Sequence, residues 1–395
     1  MTESKFTCRW ALLGLSNIAK TFLDDLTLPQ EGAIQHSLSC VSTTSSKEKA
    51  QQWLAERSNL DASRVQIYTT FEEMLQRGEF DIVYISTPHP LHYAHAKAAI
   101  KHGRHVLVEK PATMNKAQFE SLSALAKSAG VVLMEAMWTR YLPAVQYLQQ
   151  ILPQIGKVKR VFSDLSVPIA DEDMPRSSRL LDKQAGAGAM LDMGVYALTW
   201  VDLAFNGSPS TKVAFAKTIT YDTGKELIDD INTVVLNSGD GSQVAIVTTS
   251  MTLPGSTKHS DKLAVEKVAP SVRIEAENAQ VSIPFPLIRP QELHIEWYKK
   301  EKLSKDGSEV RETVSKPVER GWGLWYQADV IAREVQIRGA SRTQGTGLVI
   351  GGDETVRILE WMDTARGLSG IVYDDALEAS SEKMSSHVYA VLAFD

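Results

Sequence analysis

Two regimes of hydrophobic patterning divide the chain near residue 140. Ahead of that point, short apolar or β-branched runs at Trp10 to Leu13, Ser37 to Ser42, Val65 to Tyr68, Ile82 to Thr87, His105 to Val108 and Val131 to Met134 predict strands. Amphipathic stretches at Ile18 to Leu26, Lys47 to Arg57, Thr70 to Gln76, Leu91 to His102 and Lys116 to Ser128 lie between them and predict helices. Strand–helix alternation of this kind requires parallel pairing through right-handed crossovers. The expectation is a doubly wound parallel α/β sheet over residues 1–140, with a ligand at the carboxyl ends of its strands.

A helix from Ala144 to Ile151, ending near Pro153, opens the second regime. Strand-like segments follow at Val158 to Leu165, Val213 to Tyr221, Asn232 to Ser238, Gln243 to Thr249, Val272 to Glu275, Gln280 to Ile283 and Glu292 to Lys299. Several alternate, as in Val272-Arg-Ile-Glu, which predicts a large, open, mostly antiparallel sheet with one covered face. A helix-like insertion from Ala185 to Asn206, entered through Gly186-Ala-Gly188, interrupts it. Residues 141–395 are expected to form a second, α+β domain, with late helices at Trp325 to Arg338 and Glu354 to Arg366 packing back on the first.

Composition narrows the partners. The 395 residues are 43% hydrophobic and 23% charged, as in ordinary globular domains, and 42 basic against 48 acidic residues leave a net charge of −6. That balance argues against nucleic acid or an anionic membrane surface as a partner. Apolar runs such as Ile82 to Ile85 fall far short of the roughly 20 residues that cross a bilayer. The charged start of the chain lacks a secretory core, so a cytoplasmic protein is expected. Cys8 and Cys40 stand in no CxxC or metal-finger spacing and are expected as buried, reduced thiols on neighbouring strands.

Three segments carry chemistry. Gly14-Leu-Ser16-Asn17-Ile18-Ala19 follows the first strand and matches G-x-G-x-x-A with Ser16 at the second glycine. Such a turn presents backbone N–H groups and the positive end of a helix to a pyrophosphate. Ser16 either crowds that phosphate with its Cβ or donates its hydroxyl to it. After the second strand, Val41-Ser-Thr43-Thr44-Ser45-Ser-Lys47 offers hydroxyls and a cation, with no carboxylate before Glu48. A carboxylate there would repel a 2′-phosphate, so NADP is expected over NAD. The same hydroxyls equally suit a helix N-cap. Five of the nine histidines, His89, His92, His95, His102 and His105, cluster around the predicted fourth helix. His92 and His95 share a face at i, i+3 but lack a converging third ligand, so no metal is expected and the helix histidines are expected to be exposed. Thr87, Pro88, His89 and His92 follow the fourth strand, where a nicotinamide would lie. Glu109-Lys110-Pro111 follows the fifth strand, where an ammonium can polarise a carbonyl or steady an alkoxide.

The Gly14 turn, Thr87-Pro88-His89-Pro-Leu-His92 and Glu109-Lys110-Pro111 together resemble the glucose–fructose oxidoreductase/inositol dehydrogenase-like (Gfo/Idh/MocA) family. Met134-Glu-Ala-Met-Trp138-Thr-Arg140-Tyr141-Leu-Pro143 and Gly188-Ala-Met-Leu-Asp192-Met-Gly194-Val-Tyr196 are similar to its branch of dimeric dihydrodiol dehydrogenases and fungal NADP-dependent D-xylose 1-dehydrogenases. Ile283-Pro-Phe285-Pro and Gly323-Leu-Trp325 extend the resemblance over nearly the whole chain. The resemblance implies a Rossmann domain followed by a substrate-binding and dimerisation domain. It implies Tyr196 as acid/base assisted by Lys110, with Asp192 ordering the substrate or holding the lysine. Trp138 would wall the pocket beside the nicotinamide with Arg140 nearby, Arg179 would bond sugar hydroxyls, and Phe285 is a further pocket candidate. The implied activity is NADP-dependent oxidation of a cyclic aldose, D-xylose at C1, to its lactone. Oxidation of a trans-dihydrodiol, or NADP sensing without turnover, is the alternative. Relatives pair through the open sheet face, so a homodimer is expected.

The end of the second strand generates a direct test. NADP is expected to bind more tightly than NAD, and Thr44→Asp to erode the difference, as read by fluorescence titration of both cofactors. Equal affinities in the unsubstituted protein would contradict this reading.

Overall fold

The computed structural model describes residues 6–29, 32–57, 59–170, 174–175, 178–255, 269–298, 310–338 and 347–380. They fall into two compact units that divide at Trp138/Thr139. The first also takes in residues 319–355 and those from 374 onward, and the second takes in Val356–Tyr373.

The first unit is built on β1 (Phe6–Leu13), α1 (Asn17–Leu26), β2 (Ile34–Ser42), α2 (Lys47–Ala55), β3 (Gln66–Tyr68), α3 (Phe71–Arg77), β4 (Ile82–Ile85), α4 (His92–Lys101), β5 (His105–Glu109), α5 (Lys116–Ala129) and β6 (Val132–Ala136). Every predicted strand and helix of this region is present, and β1 and β2 begin earlier than their apolar runs. Four of the five helices between these strands start where the sequence supplies a cap: Ser16, Ser46, Thr70 and Asn115 each accept a backbone N–H from the first turn that follows, while α4 continues from the short 3₁₀ turn His89–Leu91 without one. The strands run parallel, and the sheet order reverses between β4 and β1, with β2 and β3 beyond β1 on one side and β5 and β6 beyond β4 on the other. That reversal opens the crevice at the strand ends where a ligand is held. Cys8 and Cys40 are buried and free on neighbouring strands, and burial pushes the Cys40 thiol up to about 12.

The second unit contains α6 (Pro143–Ile155), β7 (Val158–Ser166), α7 (Val195–Ala204), β8 (Lys212–Asp222), β9 (Leu227–Asn237), β10 (Val244–Ser250), β11 (Val272–Ala276), β12 (Ala279–Ile283), β13 (Glu292–Trp297) and β14 (Val310–Ser315). Its sheet runs β14-β13-β12-β11-β7-β10-β9-β8 and is antiparallel except between β7 and β10. One face, with Val161, Val247, Ile274 and Ile295, is buried, while Phe162, Ile246 and Phe215 lie on the other. Helix α6 does not stop at Pro153 as expected. Pro153 and Gln149, whose carbonyl loses its donor, are both exposed, so solvent can reach the orphaned carbonyl. Strand β14 was not foreseen, because Val-Arg-Glu-Thr-Val-Ser reads as a solvated edge. Lys299, the expected end of β13, lies outside the described residues.

Late elements complete both units: α8 (Trp325–Arg338), β15 (Leu348–Ile350), α9 (Gly352–Ser369) and α10 (Asp375–Glu378). Strand β15 extends the parallel sheet beside β6, and at three residues it was too short to recognise in the sequence. In the first unit, the Asp25 carboxylate near the end of α1 accepts the N–H groups of Trp322, Gly323 and Leu324, each at 2.7 Å. This is the structural work of the Gly323-Leu-Trp325 motif: its backbone is captured by a buried carboxylate. His36, between the Trp10 indole at 3.0 Å and Asp329 at 2.8 Å, ties β1 and β2 to α8.

Candidate active site

The phosphate turn is built for close approach. Gly14 adopts φ +89, and a Cβ there would stand 3.3 Å from the Ser86 carbonyl oxygen, so no other residue sits there without strain. Ser16 caps α1 by accepting the Ala19 N–H at 3.2 Å, and its own hydroxyl proton is left to donate. The first N–H groups of a helix lack partners within it. Asn17 and Ile18, exposed and half-buried, carry those groups.

Beyond β2, Thr43 turns inward and its hydroxyl accepts the Ser45 N–H at 3.1 Å, while Ser46 caps α2. Thr44 and Lys47 are exposed and Ser45 half-buried, with no carboxylate among them. The N-cap reading and the phosphate reading therefore fall on different side chains of one segment. Together with the Gly14 cradle, these residues fit a dinucleotide bearing a 2′-phosphate.

At the carboxyl end of β5 the backbone around Lys110 is held at successive atoms. The Lys110 N–H donates to the Glu109 carboxylate at 3.2 Å, the Pro111 carbonyl oxygen lies 2.8 Å from His92 Nδ1, and the Ala112 N–H donates to Glu135 at 2.9 Å. Glu109 also accepts the Tyr84 hydroxyl at 2.6 Å, and Glu135 accepts that of Thr355 at 2.8 Å. Burial raises the Glu109 carboxyl to about 7, against the opposing pull of the Tyr84 hydroxyl and the Lys110 ammonium.

The histidines correct an expectation. His92 and His95 are buried, at 0% and 7% exposure, so the histidine face of α4 looks into the protein and not into water. Burial is tolerated because the rings have partners: His92 Nε2 lies 2.7 Å from the Thr87 carbonyl, and His95 Nδ1 lies 3.0 Å from the Thr87 hydroxyl. His89 is 5% exposed and packs edge-on against His92, leaving Thr87 and Pro88 as the half-exposed members of the segment. With its ring closed off, His92 supports the site from beneath and is withdrawn as a direct cofactor contact.

In the second unit the expected single helix from Ala185 is three pieces: a short 3₁₀ turn, a π-helical turn Met190–Gly194 that carries Asp192, and α7, which carries Tyr196. π turns widen a helix locally and recur at functional sites. The Asp229 carboxylate of β9 anchors this one by accepting the Met190 N–H at 2.6 Å and an Asn232 amide N–H at 2.9 Å. Gly188 is obligatory there, since its φ is +134 and a Cβ would fall 1.9 Å from Asp229 Oδ1. Asp192 is half-buried and Tyr196 is 7% exposed. Arg179 is exposed at the start of a 3₁₀ turn, and Phe285 is 37% exposed in the loop after β12. Trp138, in the first unit, is 3% exposed. Arg140 donates to Asp202 at 3.0 Å, opposite Arg357 at 2.8 Å, so its guanidinium is spent on a buried ion triad. Glu135 and Asp229 were missed in the sequence, where a lone acid in an apolar run and an Asp-Asp pair breaking the alternation of a strand were the only signals. Among the described residues, no group of three His, Cys, Asp or Glu side chains is placed to hold a metal ion.

Comparison with known proteins matches residues 8–137 to a model described as an oxidoreductase family, NAD-binding Rossmann fold, and residues 146–274 to the GFO/IDH/MocA C-terminal domain. A D-xylose 1-dehydrogenase (NADP(+)) of Hypocrea jecorina is 28% identical over 395 aligned residues, covering 94% of each chain. A trans-1,2-dihydrobenzene-1,2-diol dehydrogenase of Danio rerio is 30% identical over 289 residues, covering 70% of this chain and 81% of its own. Among solved structures, a 3-ketoreductase of Actinomadura kijaniata in complex with NADP and TDP-benzene superposes with a TM-score of 0.69 at 19% identity, over 92% of this chain and 98% of its own. An aldose-aldose oxidoreductase of Caulobacter crescentus does so with 0.69 at 20%, over the same shares. At those identities the solved structures speak to the fold.

Glu109 makes stability pH-dependent with a defined sign. Its folded-state pKa of about 7 lies above the ordinary 4.5, so between those values the folded protein binds more protons than the unfolded chain. Stability contributed by this group is present at low pH and declines as pH rises through that window. Urea unfolding at about pH 5 and about pH 8 is expected to show the unsubstituted protein losing ground to Glu109→Gln at the higher pH. An identical difference at both would refute it.

Proposed function

The chain belongs to the GFO/IDH/MocA oxidoreductase family, and we propose that within it the protein is an NADP-dependent dehydrogenase that oxidises C1 of a cyclic aldose, D-xylose or a close relative, to the lactone. The observation that carries the reading is the Lys110 turn, whose backbone is held at three neighbouring atoms at the end of a parallel strand. Such an investment in one lysine suits a charge that must meet a reacting oxygen. Similarity to the Hypocrea jecorina enzyme over 94% of both chains supports the substrate class. When bound, the nicotinamide supplies the acceptor for the hydride leaving C1. Gly14, Ser16, Asn17 and Ile18 would hold its pyrophosphate, Thr44, Ser45 and Lys47 its 2′-phosphate, and Thr87, Pro88 and Trp138 the nicotinamide end. Tyr196 takes the proton of the C1 hydroxyl as the C–H bond breaks, and the Lys110 ammonium stabilises the negative charge developing on that oxygen. Asp192 and Arg179 fix further hydroxyls, with Phe285 against the ring.

A second reading, oxidation of a trans-dihydrodiol, is favoured by the 30% identity to the Danio rerio enzyme. The two differ in what they demand of polar residues, because groups placed to bond hydroxyls discriminate against substrates lacking them. The reading as a sensor without turnover rested on Ser16 alone, and a capped, donor-ready Ser16 weakens it.

We also propose that the protein is a homodimer through the open face of the second sheet. Strand register lines up Phe215, Val235, Ile246 and Phe162 across four strands of that face, continuing to Arg273. Phe215 is 52% and Ile219 59% exposed. An apolar row of this kind on an open sheet marks an interface.

Two tests follow from these roles. Tyr196→Phe and Lys110→Met are expected to lower kcat by about a hundredfold or more with NADP affinity near normal. In the same assay D-xylose is expected to show higher kcat/KM than a trans-dihydrodiol, with Arg179→Ala hurting the sugar more. Full activity in Tyr196→Phe would remove the acid/base assignment, and a diol preference untouched by Arg179→Ala would favour the second reading. Separately, sedimentation is expected to give a dimer that Phe215→Lys dissociates, and a monomer at micromolar concentration would end that proposal.

A further inference from the structure

His92 opens α4 and is wholly buried. Its two ring nitrogens lie 2.8 Å from the Pro111 carbonyl oxygen and 2.7 Å from the Thr87 carbonyl oxygen. Carbonyl oxygens only accept hydrogen bonds, and a neutral imidazole carries a single N–H. In the neutral ring one nitrogen lone pair would face an oxygen lone pair at that distance, which is repulsive. Both contacts are hydrogen bonds only when both nitrogens carry protons.

We propose that His92 is a positioning residue for the Lys110 turn, a buried imidazolium whose two N–H groups tie the Thr87 carbonyl behind β4 to the Pro111 carbonyl behind β5. The inference rests on the reading of Lys110 as the group that meets the reacting oxygen, and it adds what fixes that lysine to the neighbouring strand end. Charge-assisted bonds of this type are roughly twice as strong as neutral ones, which offsets part of the cost of burying the cation. Ionisable side chains on the elements it joins include His89, with ring centroids 5.7 Å apart, Tyr93, His95, Lys97 and Lys101 on α4, Tyr84 on β4, His105 on β5, and Glu109, Lys110 and Glu135 along the turn it holds. His95 has its pKa lowered to about 3, by burial first and by the His92 charge second, so the two rings do not compete for the cation.

The proposal has a readout independent of cofactor and substrate. In the full chain labelled with ¹⁵N in its histidine rings, both His92 nitrogens are expected to carry protons throughout about pH 6 to 8, the range over which an ordinary histidine becomes neutral. The signals are assigned by their loss in His92→Gln or His92→Asn, or, if neither variant folds, by through-space contacts to His89 in the unsubstituted protein. One nitrogen unprotonated across that range would overturn the proposal. An amide is uncharged and donates from one nitrogen in place of two, so it cannot reproduce both charge-assisted bonds. Folded His92→Gln is therefore expected to lose about tenfold or more in kcat per folded site, with KM and NADP affinity within about threefold. A loss explained wholly by a smaller folded fraction, with kcat per site unchanged, would likewise overturn it. Failure of the Tyr196 assignment would alter the activity assays and leave the ring protonation as it is, so the two readings fail separately.

Discussion

Lysine places its ammonium on a flexible four-carbon stem that carries about 2 kcal/mol of rotamer freedom, so its position is no better defined than the backbone it grows from. Around Lys110 that backbone is gripped from three sides: by Glu109 of its own strand, by His92 of α4, and by Glu135 of β6. The grip in turn dictates its surroundings. Glu109 needs the Tyr84 hydroxyl and Glu135 the Thr355 hydroxyl, which brings in β4 and the start of α9. Much of the polar content buried at this end of the first unit exists to hold one turn of chain.

Acceptor-only groups fix several backbone segments at the ends of helices and strands. Asp25 captures three successive N–H groups ahead of α8. In β9 the pairing with β8 shifts register beside Asp230, so the adjacent Asp229 and Asp230 are both buried instead of alternating. Asp229 then holds the Gly188–Met190 turn, and Asp230 holds the backbone of Met251 and Thr252. Burial holds the Asp25 and Asp229 carboxyls above their ordinary range, opposed by the hydrogen bonds they accept. A carboxylate is suited to this work because it offers several lone-pair sites and competes for no acceptor. Among the described residues, one oxygen of Asp229 nevertheless has no hydrogen-bond partner, at the point where Gly188 makes its closest approach.

The parallel sheet was readable residue by residue because its signals are local. Runs such as Ile82 to Ile85, set between amphipathic helical stretches, are buried on both faces as a covered parallel sheet requires, and hydroxyl or amide caps announce four of the five helices between the strands. The same holds for the Gly14 turn, where conformation and crowding act within a few residues. Local reading failed at Pro153, since whether a proline ends a helix depends on whether water can reach the orphaned carbonyl. It failed at β15 as well, since three residues become a strand only beside an existing edge.

The histidine segment shows where that boundary lies. Spacing put His92 and His95 on one face of a helix, and that much follows from the helical repeat alone. Which way the face points depends on the carbonyls of Thr87 and Pro111, and although strand–helix alternation foretells the pairing of β4 with β5, the spacing of the histidines does not say that these two carbonyls meet the ring. Asp229 and Glu135 are alike: neither has a recognisable role in the sequence until folding delivers a distant N–H to it. Order of elements, cofactor turn and candidate lysine are properties of neighbouring residues. The burial, protonation and partners that make those residues usable arise from groups far apart in the chain, and packing alone sets them.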